Sequence, residues 1–358
     1  MADAIRVGGI CTVTPGNGSP EEQLLGAQLA ASYTRGRWPN DTLHIDLVER
    51  RVADDPAAAE AAATELVERD GCVALMGMSS VPVSTRLGEW CEDRGMLFMA
   101  ANNNPVVRKG KHWVFGIGVP SEVTGEGTAR ALDEALGAKR VYLIHQLGEF
   151  QTYAAQCAEA AMTRRGIIVE VGELGDVASN DLLIDRVLAW GPDAVCLYSG
   201  SELEESTAFM HATHETRDWP PTLLSRSMLC KEFAELCGTA AEGHYFVDMF
   251  LRDERATEQE RALLDALATH DPTSLATANH AFGWDGFRLV AEAIRAGGED
   301  PEAQLFYIEG LKDYPGVTGK LTFGAEDHNG HFDYDPTTVS RLVDGRFVPF
   351  SSLGRWPV

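Results

Sequence analysis

The sequence predicts an α/β protein built from two doubly wound lobes, each with its own parallel sheet. Short runs of β-branched residues alternate with amphipathic helical stretches along most of the 358 residues, which is typical of βα units that form parallel sheets. The alternation restarts after Gly116-Ile-Gly-Val-Pro120, whose Gly and Pro content indicates a crossing between lobes. With 44% hydrophobic residues, a chain of this length can bury two cores.

The first lobe is predicted from five strands and three helices that precede this crossing. Asp55 and Pro56 are typical of the cap and first position of a helix, and Pro20 lies near the start of another. In order, the elements are strand 5–13, helix 21–33, strand 42–49, helix 56–69, strand 73–76, helix 82–94, strand 96–99 and strand 113–115.

The second lobe repeats this rhythm after Ser121, which is predicted to cap a helix. Its elements are strand 140–145, helix 150–165, strand 167–173, helix 181–189, strand 194–198, helix 202–214, strand 222–224 and strand 243–250. Helices 258–269, 278–297 and 301–311 are predicted to return to lobe one, and antiparallel strands 317–323, 338–343 and 346–350 form a tail that crosses again to lobe two. Lobe one therefore comprises residues 1–119 and 250–328, and lobe two comprises residues 120–249 and 329–358, so a hinge of several crossovers joins two Rossmann-like lobes.

Charge and cysteine content exclude several classes of partner. The formal net charge of −24 and a pI near 4.7 oppose binding to nucleic acid, and no stretch is long and apolar enough to insert into a membrane. The seven cysteines are scattered and odd in number, which favours a reducing compartment over a disulfide framework. The first residues do not resemble a secretory signal, so we expect a cytoplasmic location for the chain as it stands, or a periplasmic one if a signal has been removed.

Motifs for catalysis and for cofactors do not occur in the sequence. It contains no P-loop, no G-x-S-x-G and no H-E-x-x-H, and Gly116-x-Gly118 lacks the third glycine of a dinucleotide site. We therefore expect no cofactor. The pairs His211/His214 and His328/His331 are expected to be solvated rather than to bind metal, and structural roles are expected for Cys91, Cys230 and Asp285.

Three polar or aromatic loops follow strands that are predicted to be buried. Ser79 and Ser80 precede a helix, Asn102 and Asn103 follow the next strand, and Phe150 comes shortly after the first strand of lobe two. Ligands of open α/β sheets bind beyond the carboxyl ends of the strands, so these loops are candidates for a binding site. Ordinary capping, turn and core roles are the alternative interpretation.

Several motifs together resemble the leucine/isoleucine/valine-binding and amide/urea-binding branch of the type I periplasmic binding proteins. The resemblance extends from Ile5 to about Phe350. Its motifs are Glu22 with Gly26-Ala, Gly77-Met-Ser-Ser80, Asn104-Pro105, Trp113-Val-Phe, the long helix 278–297, Tyr314-Pro-Gly-Val-Thr-Gly-Lys-Leu-Thr-Phe323 and Asp327-His-Asn-Gly330. It implies the type I periplasmic-binding-protein fold.

The resemblance also implies a set of ligand-binding residues. Lobe one would hold a carboxylate or amide of the ligand, and lobe two would close on it. The implied residues are Ser79, Ser80, Asn102 and Asn103 in lobe one, and Phe150, Ser201, Glu202, Arg226 and Ser227 in lobe two. Phe150 stands where the family has Tyr, and Arg226 lies near the usual acidic partner of an α-ammonium. These departures argue against a branched-chain amino acid, because Arg226 is suited to a second carboxylate and Glu202 to an ammonium or amide.

The predicted function is that of a non-catalytic receptor that binds a small polar organic ligand in an interlobe cleft by hinge closure. By analogy with the family, the partner is an ABC permease. In the alternative, the protein is an intracellular amide sensor and its partner is a regulatory protein. An open-sheet enzyme is a remote third possibility, and the sequence leaves open whether the protein forms a homodimer.

Overall fold

The computed structural model describes residues 4–14, 19–37, 43–102, 104–175, 177–200, 203–331, 334–350 and 356–357. The chain divides into two compact units and passes between them three times. The first unit comprises Met1–Pro120 and Thr257–Tyr334, and the second comprises Ser121–Ala256 and Asp335–Val358.

Strands and helices alternate along most of the described residues up to Asp248, as the sequence predicts, and three helices and then six strands follow. The strands are β1 (Ile5–Val13), β2 (Ile45–Ala53), β3 (Cys72–Met78), β4 (Phe98–Ala100), β5 (Val114–Gly116), β6 (Arg140–Gln146), β7 (Ile168–Leu174), β8 (Ala194–Tyr198), β9 (Thr222–Leu224), β10 (Tyr245–Asp248), β11 (Tyr314–Gly316), β12 (Gly319–Leu321), β13 (Tyr334–Asp335), β14 (Thr338–Val343), β15 (Arg346–Pro349) and β16 (Trp356–Pro357). The helices are α1 (Ser19–Arg37), α2 (Pro56–Glu68), α3 (Val81–Glu92), α4 (Ser121–Arg130), α5 (Glu149–Arg164), α6 (Asn180–Trp190), α7 (Glu204–His214), α8 (Lys231–Cys237), α9 (Glu258–His270), α10 (Ala278–Gly297) and α11 (Pro301–Glu309). None of the helices in these described ranges combines the length and apolar character that crossing a bilayer requires.

The first unit is built on a five-stranded parallel sheet. Its strand order is β2-β1-β3-β4-β5, the order of a doubly wound fold. Asp55 caps α2 as the sequence predicts, because its Oδ1 accepts a hydrogen bond of 2.8 Å from the backbone N–H of Ala58. All strands run parallel, so their carboxyl ends lie at one edge of the sheet.

Helix α10 joins the return segment to the first unit by direct backbone contact with α1. A Cβ atom at Gly26 would lie 2.0 Å from the carbonyl oxygen of His280, and one at Gly283 would lie 1.7 Å from that of Gln23. No residue other than glycine fits at either position. Helices α9, α10 and α11 all belong to the first unit.

Buried Asp285 on α10 anchors a hairpin. Its Oδ2 accepts a hydrogen bond of 2.7 Å from the backbone N–H of Val317, in the turn between β11 and β12. Arg288 on the same helix donates to the carbonyl of Pro315 at 3.1 Å. The single strand predicted at 317–323 is therefore wrong: the chain turns at Val317 and forms two short antiparallel strands.

The second unit contains a seven-stranded mixed sheet. Its order is β15-β14-β10-β9-β8-β6-β7. The strands from β10 to β7 run parallel, and β14 pairs antiparallel with both β10 and β15. The antiparallel pairing predicted for 338–343 and 346–350 is confirmed. The sequence does not predict α8, because its seven residues are too few for a clear helical periodicity.

Two crossings lie later in the structure than the residues 250 and 329 at which the sequence places them. Asp248 accepts hydrogen bonds from the backbone N–H groups of Met249 and Phe250, and the carbonyl of Phe250 accepts one from the Thr338 hydroxyl. This segment therefore stays in the second unit through Ala256. Asn329 pairs with Gly116 on β5, which keeps the turn in the first unit until residue 335.

The expectation that His328 and His331 are solvated is wrong. Both are buried, and the His328 ring stacks on Phe115 with 4.1 Å between ring centroids. Its Nε2 lies 3.0 Å from Oε1 of Glu309. Within the described part of the chain, no three His, Cys, Asp or Glu side chains are grouped so that they could hold a metal ion.

Buried His280 makes the stability of the first unit depend on pH. Desolvation lowers the pKa of His280 to about 4, against about 6.5 in an unfolded chain. Between these values the unfolded chain binds more protons, so stability is complete above about pH 6.5 and falls as the pH falls. The free energy of unfolding of the wild type should fall between about pH 7 and pH 5. In the His280→Gln variant this fall should be smaller by about 2 kcal/mol, as measured by urea denaturation.

Exposed His270 offers a matched control on the preceding helix, α9. The His270→Gln variant should lose as much stability as the wild type over the same pH range. Burial also lowers the pKa of His244 to about 4, but His244 is present in all three proteins and cancels in the comparison. Equal pH dependence of wild type and His280→Gln would contradict the assignment.

Candidate functional site

The predicted residues of the first lobe lie at the carboxyl edge of the first unit's sheet. Ser79 follows β3, Ser80 is the N-cap of α3, and Asn102 comes two residues after β4. Strands β3 and β4 are neighbours, with Gly77 opposite Ala100, so the two loops leave the sheet side by side. Asn103 lies outside the described residues.

Asn102 ties these two loops together. Its Nδ2 donates to the carbonyl oxygen of Ser79 at 3.3 Å, and its Oδ1 accepts from the backbone N–H of Asn104 at 2.9 Å. The hydroxyl of Ser79 lies 2.8 Å from that of Ser84 on α3. The hydrogen bonds of Ser79 and Asn102 therefore hold the two loops in place.

Ser80 is the residue of this group that is suited to meet a ligand. It is half-buried at the N-terminus of the twelve-residue α3, and its hydroxyl makes no capping hydrogen bond to that helix. The positive end of the helix dipole favours a negatively charged or carbonyl oxygen at this position. The serine loop can therefore stabilise a carboxylate or amide oxygen.

A hydrogen-bond network that the sequence did not predict supports the loop after β4. Nε2 of buried Gln23 on α1 donates to the carbonyl of Ala101 at 3.1 Å and to Oδ1 of Asn279 at 3.3 Å. Asn279 in turn donates to Oε2 of Glu22 at 2.8 Å. Glu22 is among the residues that carry the family resemblance, but its partner lies 257 positions away, which a single sequence does not reveal.

In the second unit, Phe150 is not the side chain that lies against the loops after β6 and β8. It occupies the first turn of α5 and is 38% exposed. The neighbouring Gln151 fills that space: a Cβ atom at Gly148 would lie 2.3 Å from its Oε1, and one at Gly200 would lie 2.1 Å from its Nε2. Ser201 and Glu202 lie outside the described residues.

Arg226 brings a half-buried positive charge to the carboxyl edge of the second sheet. It begins a short 3-10 turn directly after β9, with Nη1 3.6 Å from the sulfur of Met249. Desolvation lowers its pKa to about 10, so it stays charged at neutral pH. A cation at this edge is suited to an anionic group.

The two serines that flank Arg226 join neighbouring strand ends. The Ser227 hydroxyl donates to the carbonyl of Ser199 at 2.6 Å. The backbone N–H of Ser199 donates to the Ser225 hydroxyl at 3.3 Å. The proton of the Ser227 hydroxyl is thus committed to Ser199, so towards a ligand Ser227 can act only as an acceptor.

Gln146 is the main polar residue of this edge that the sequence did not predict. It is the last residue of β6 and is buried, and it contacts the loop after β8 and the first turn of α7. The available signal was a glutamine within the buried run Val141-Tyr-Leu-Ile-His-Gln146, where a polar side chain needs partners.

Three buried cysteines are poorly suited to act as nucleophiles. Cys91 lies on the buried face of α3, and desolvation raises its pKa. Burial likewise raises the pKa of Cys11 to about 12 and that of Cys72 to about 11. Only the thiolate is reactive, so these side chains behave as small buried hydrophobes.

The chain is similar to known solute-binding proteins over nearly its whole length. The model of the periplasmic binding protein family matches residues 4–344. The leucine-binding protein of Thermotoga maritima superposes with a TM-score of 0.80 at 18% identity, covering 98% of this chain and 99% of that one. A branched-chain amino acid transporter substrate-binding protein of Streptococcus pneumoniae, in complex with isoleucine, gives 0.79 at 18% identity, covering 99% and 100%.

A third solved structure binds an aromatic acid. The solute-binding protein of an ABC transporter from Rhodopseudomonas palustris, in complex with p-hydroxybenzoic acid, gives a TM-score of 0.79 at 16% identity, covering 99% of this chain and 97% of that one. No curated protein matches the chain significantly. At these identities the structures confirm the predicted fold.

Asn102 and Ser80 should differ in their contribution to stability. The Asn102→Ala variant loses the hydrogen bond that connects the loops after β3 and β4 and a second one within the loop after β4, and we expect its free energy of unfolding to fall by about 1–2 kcal/mol. The Ser80→Ala variant is the matched control and should change stability by less than about 0.5 kcal/mol, since Ser80 makes no capping bond. Urea denaturation measures both. Similar losses in the two variants would argue against the bracing role of Asn102.

Proposed function

Since this chain belongs to the periplasmic binding protein family, we propose that it is a non-catalytic receptor for a small polar organic ligand. The observation that carries the proposal is the collection of polar side chains at the carboxyl ends of the parallel strands in each unit. Ser80 lies at this edge in the first unit, and Gln146 and Arg226 lie at it in the second. Open α/β sheets bind ligands at such edges.

The ligand that we propose carries a carboxylate. The N-terminus of α3 beside Ser80 favours an anionic oxygen, and Arg226 adds a positive charge at the edge of the second unit. The similar structures include a leucine-binding protein and complexes with isoleucine and with p-hydroxybenzoic acid, and all three compounds contain a carboxylate. Hinge closure on this ligand remains part of the proposal.

We propose transport as the role of this binding, with an ABC permease as the protein partner. Two of the similar structures are named as parts of transporters, one of them as a component of an ABC transporter. No such observation supports the alternative role as an intracellular amide sensor. The family match and the protonated, buried thiols of Cys11, Cys72 and Cys91 support binding without catalysis.

A thermal-shift screen tests the receptor function. The compounds are branched-chain and acidic amino acids, aromatic acids, amides and urea, and we expect at least one to raise the melting temperature of the wild type. The Ser80→Ala variant should bind that compound about tenfold more weakly or worse, because it loses a hydrogen bond to the ligand. The Ser32→Ala variant, changed at an exposed position of α1, is the control and should bind as the wild type does. A screen without any stabilising compound would contradict the proposal.

Arg226 should distinguish acids from amides. If its guanidinium pairs with a second carboxylate of the ligand, Arg226→Ala should weaken binding of L-glutamate, or of the acid that the screen identifies, by roughly tenfold to a hundredfold. Binding of L-glutamine, or of the matching amide, should change by less than about threefold, and calorimetric titration compares the two. Arg217→Ala is the control, since the Arg217 side chain is 94% exposed. Equal losses for acid and amide would refute this role.

A further inference from the structure

Gln146 connects three elements of the second unit through a single buried side chain. Its Oε1 accepts hydrogen bonds from the Ser199 hydroxyl at 3.1 Å and from the backbone N–H of Gly200 at 3.0 Å. Its Nε2 donates to Oε2 of Glu205 in the first turn of α7 at 2.8 Å. Gln146 itself is only 6% exposed.

The chemistry of these partners requires a carboxamide at position 146. A backbone N–H such as that of Gly200 can only donate, so it must meet an oxygen. The carboxylate of Glu205 can only accept while it is ionised, so it must meet an N–H group. A carboxamide offers both within one short side chain, whereas a glutamate at this position would face Glu205 with a like charge.

The segment held by Gln146 is also held from the opposite side. The carbonyl of Ser199 accepts from the Ser227 hydroxyl beside Arg226, which ties the end of β8 to the turn after β9. The amide of Gln151 lies where a Cβ atom at Gly200 would be, so the Gln151 side chain packs directly against this glycine. The loop after β8 is thus confined between α5, β6 and the turn that carries Arg226.

We propose that Gln146 is a positioning residue for ligand binding: it fixes the Ser199–Gly200 backbone and the start of α7 in the arrangement that the ligand meets. This inference rests on the proposed receptor function and deepens it. Gln146 holds the loop after β8 and the start of α7 in place without needing to contact the ligand itself. The same bonds would also support a purely structural role, so the test includes rescue and ligand affinity.

Exchanging the two partners provides the test. Gln146→Glu places two carboxylates face to face and should release the loop. Gln146→Glu combined with Glu205→Gln reverses the polarity of the pair: the carboxylate at 146 still accepts from Ser199 and Gly200, and the amide at 205 now donates to it. The double variant also keeps the net charge of the wild type. Glu205→Gln alone completes the cycle.

Two measurements follow the cycle. Hydrogen exchange of the peptide that contains Ser199 and Gly200 should be about tenfold faster in Gln146→Glu than in the wild type and should return to within about threefold in the double variant. Dissociation constants for the first stabilising compound among L-leucine, L-isoleucine, L-glutamate, p-hydroxybenzoate and acetamide should follow the same pattern, weaker by about tenfold or more in the single variant and restored in the double.

The outcomes separate this inference from the proposed function. The inference would be overturned if hydrogen exchange in Gln146→Glu were as slow as in the wild type, or if the double variant failed to restore both exchange and affinity. Ligand binding by the wild type would still support the receptor function in either case. Exchange that follows the cycle while affinity stays constant would leave Gln146 a purely structural role and would overturn the inference as well. If the wild type bound none of the five compounds, the receptor function would be contradicted together with the ligand part of the inference, and the exchange data would still decide whether Gln146 holds the loop.

Discussion

The backbone contact between α1 and α10 is the constraint on which the first unit depends. Gly26 and Gly283 let the two helices approach until carbonyl oxygens occupy the space of missing side chains, and this approach helps to join residues 257–334 to a sheet made from the first 120 residues. The hydrogen bonds of Gln23 to Ala101 and Asn279 cross the same contact. The packing that closes the core therefore also fixes the loop after β4.

The two polar edges achieve order in different ways. In the first unit, Asn102 and the helix N-terminus at Ser80 arrange a loop between neighbouring strands, with little charge from side chains. In the second unit, Gln146 and Ser227 form hydrogen bonds with the backbone of the loop after β8, and Arg226 supplies a desolvated cation. Prearranged polar groups of this kind reduce the entropy lost when a ligand binds, since the protein side chains are already ordered.

Local sequence patterns were reliable where the physics is local. The cap at Asp55, the bounds of α10 and the antiparallel β14 and β15 were predicted, because capping chemistry and hydrophobic periodicity act within a few residues. Predictions failed where distant segments decide the outcome. His328 is buried by Phe115 and Glu309, and the turn at Val317 is held by Asp285, which lies 32 positions earlier.

The sequence by itself determined the α/β class, the division into two lobes, the family resemblance and the candidate loops at Ser79, Ser80 and Asn102. It did so because hydrophobic periodicity, helix capping and short motifs each depend on residues that are close together in the sequence. Only the tertiary structure decided that Asn102 braces the serine loop, that Gln151 rather than Phe150 lies against Gly200, and that Gln146 organises the second edge. These roles arise from hydrogen bonds and close packing between strand ends that are far apart in the chain, and no local pattern records such contacts.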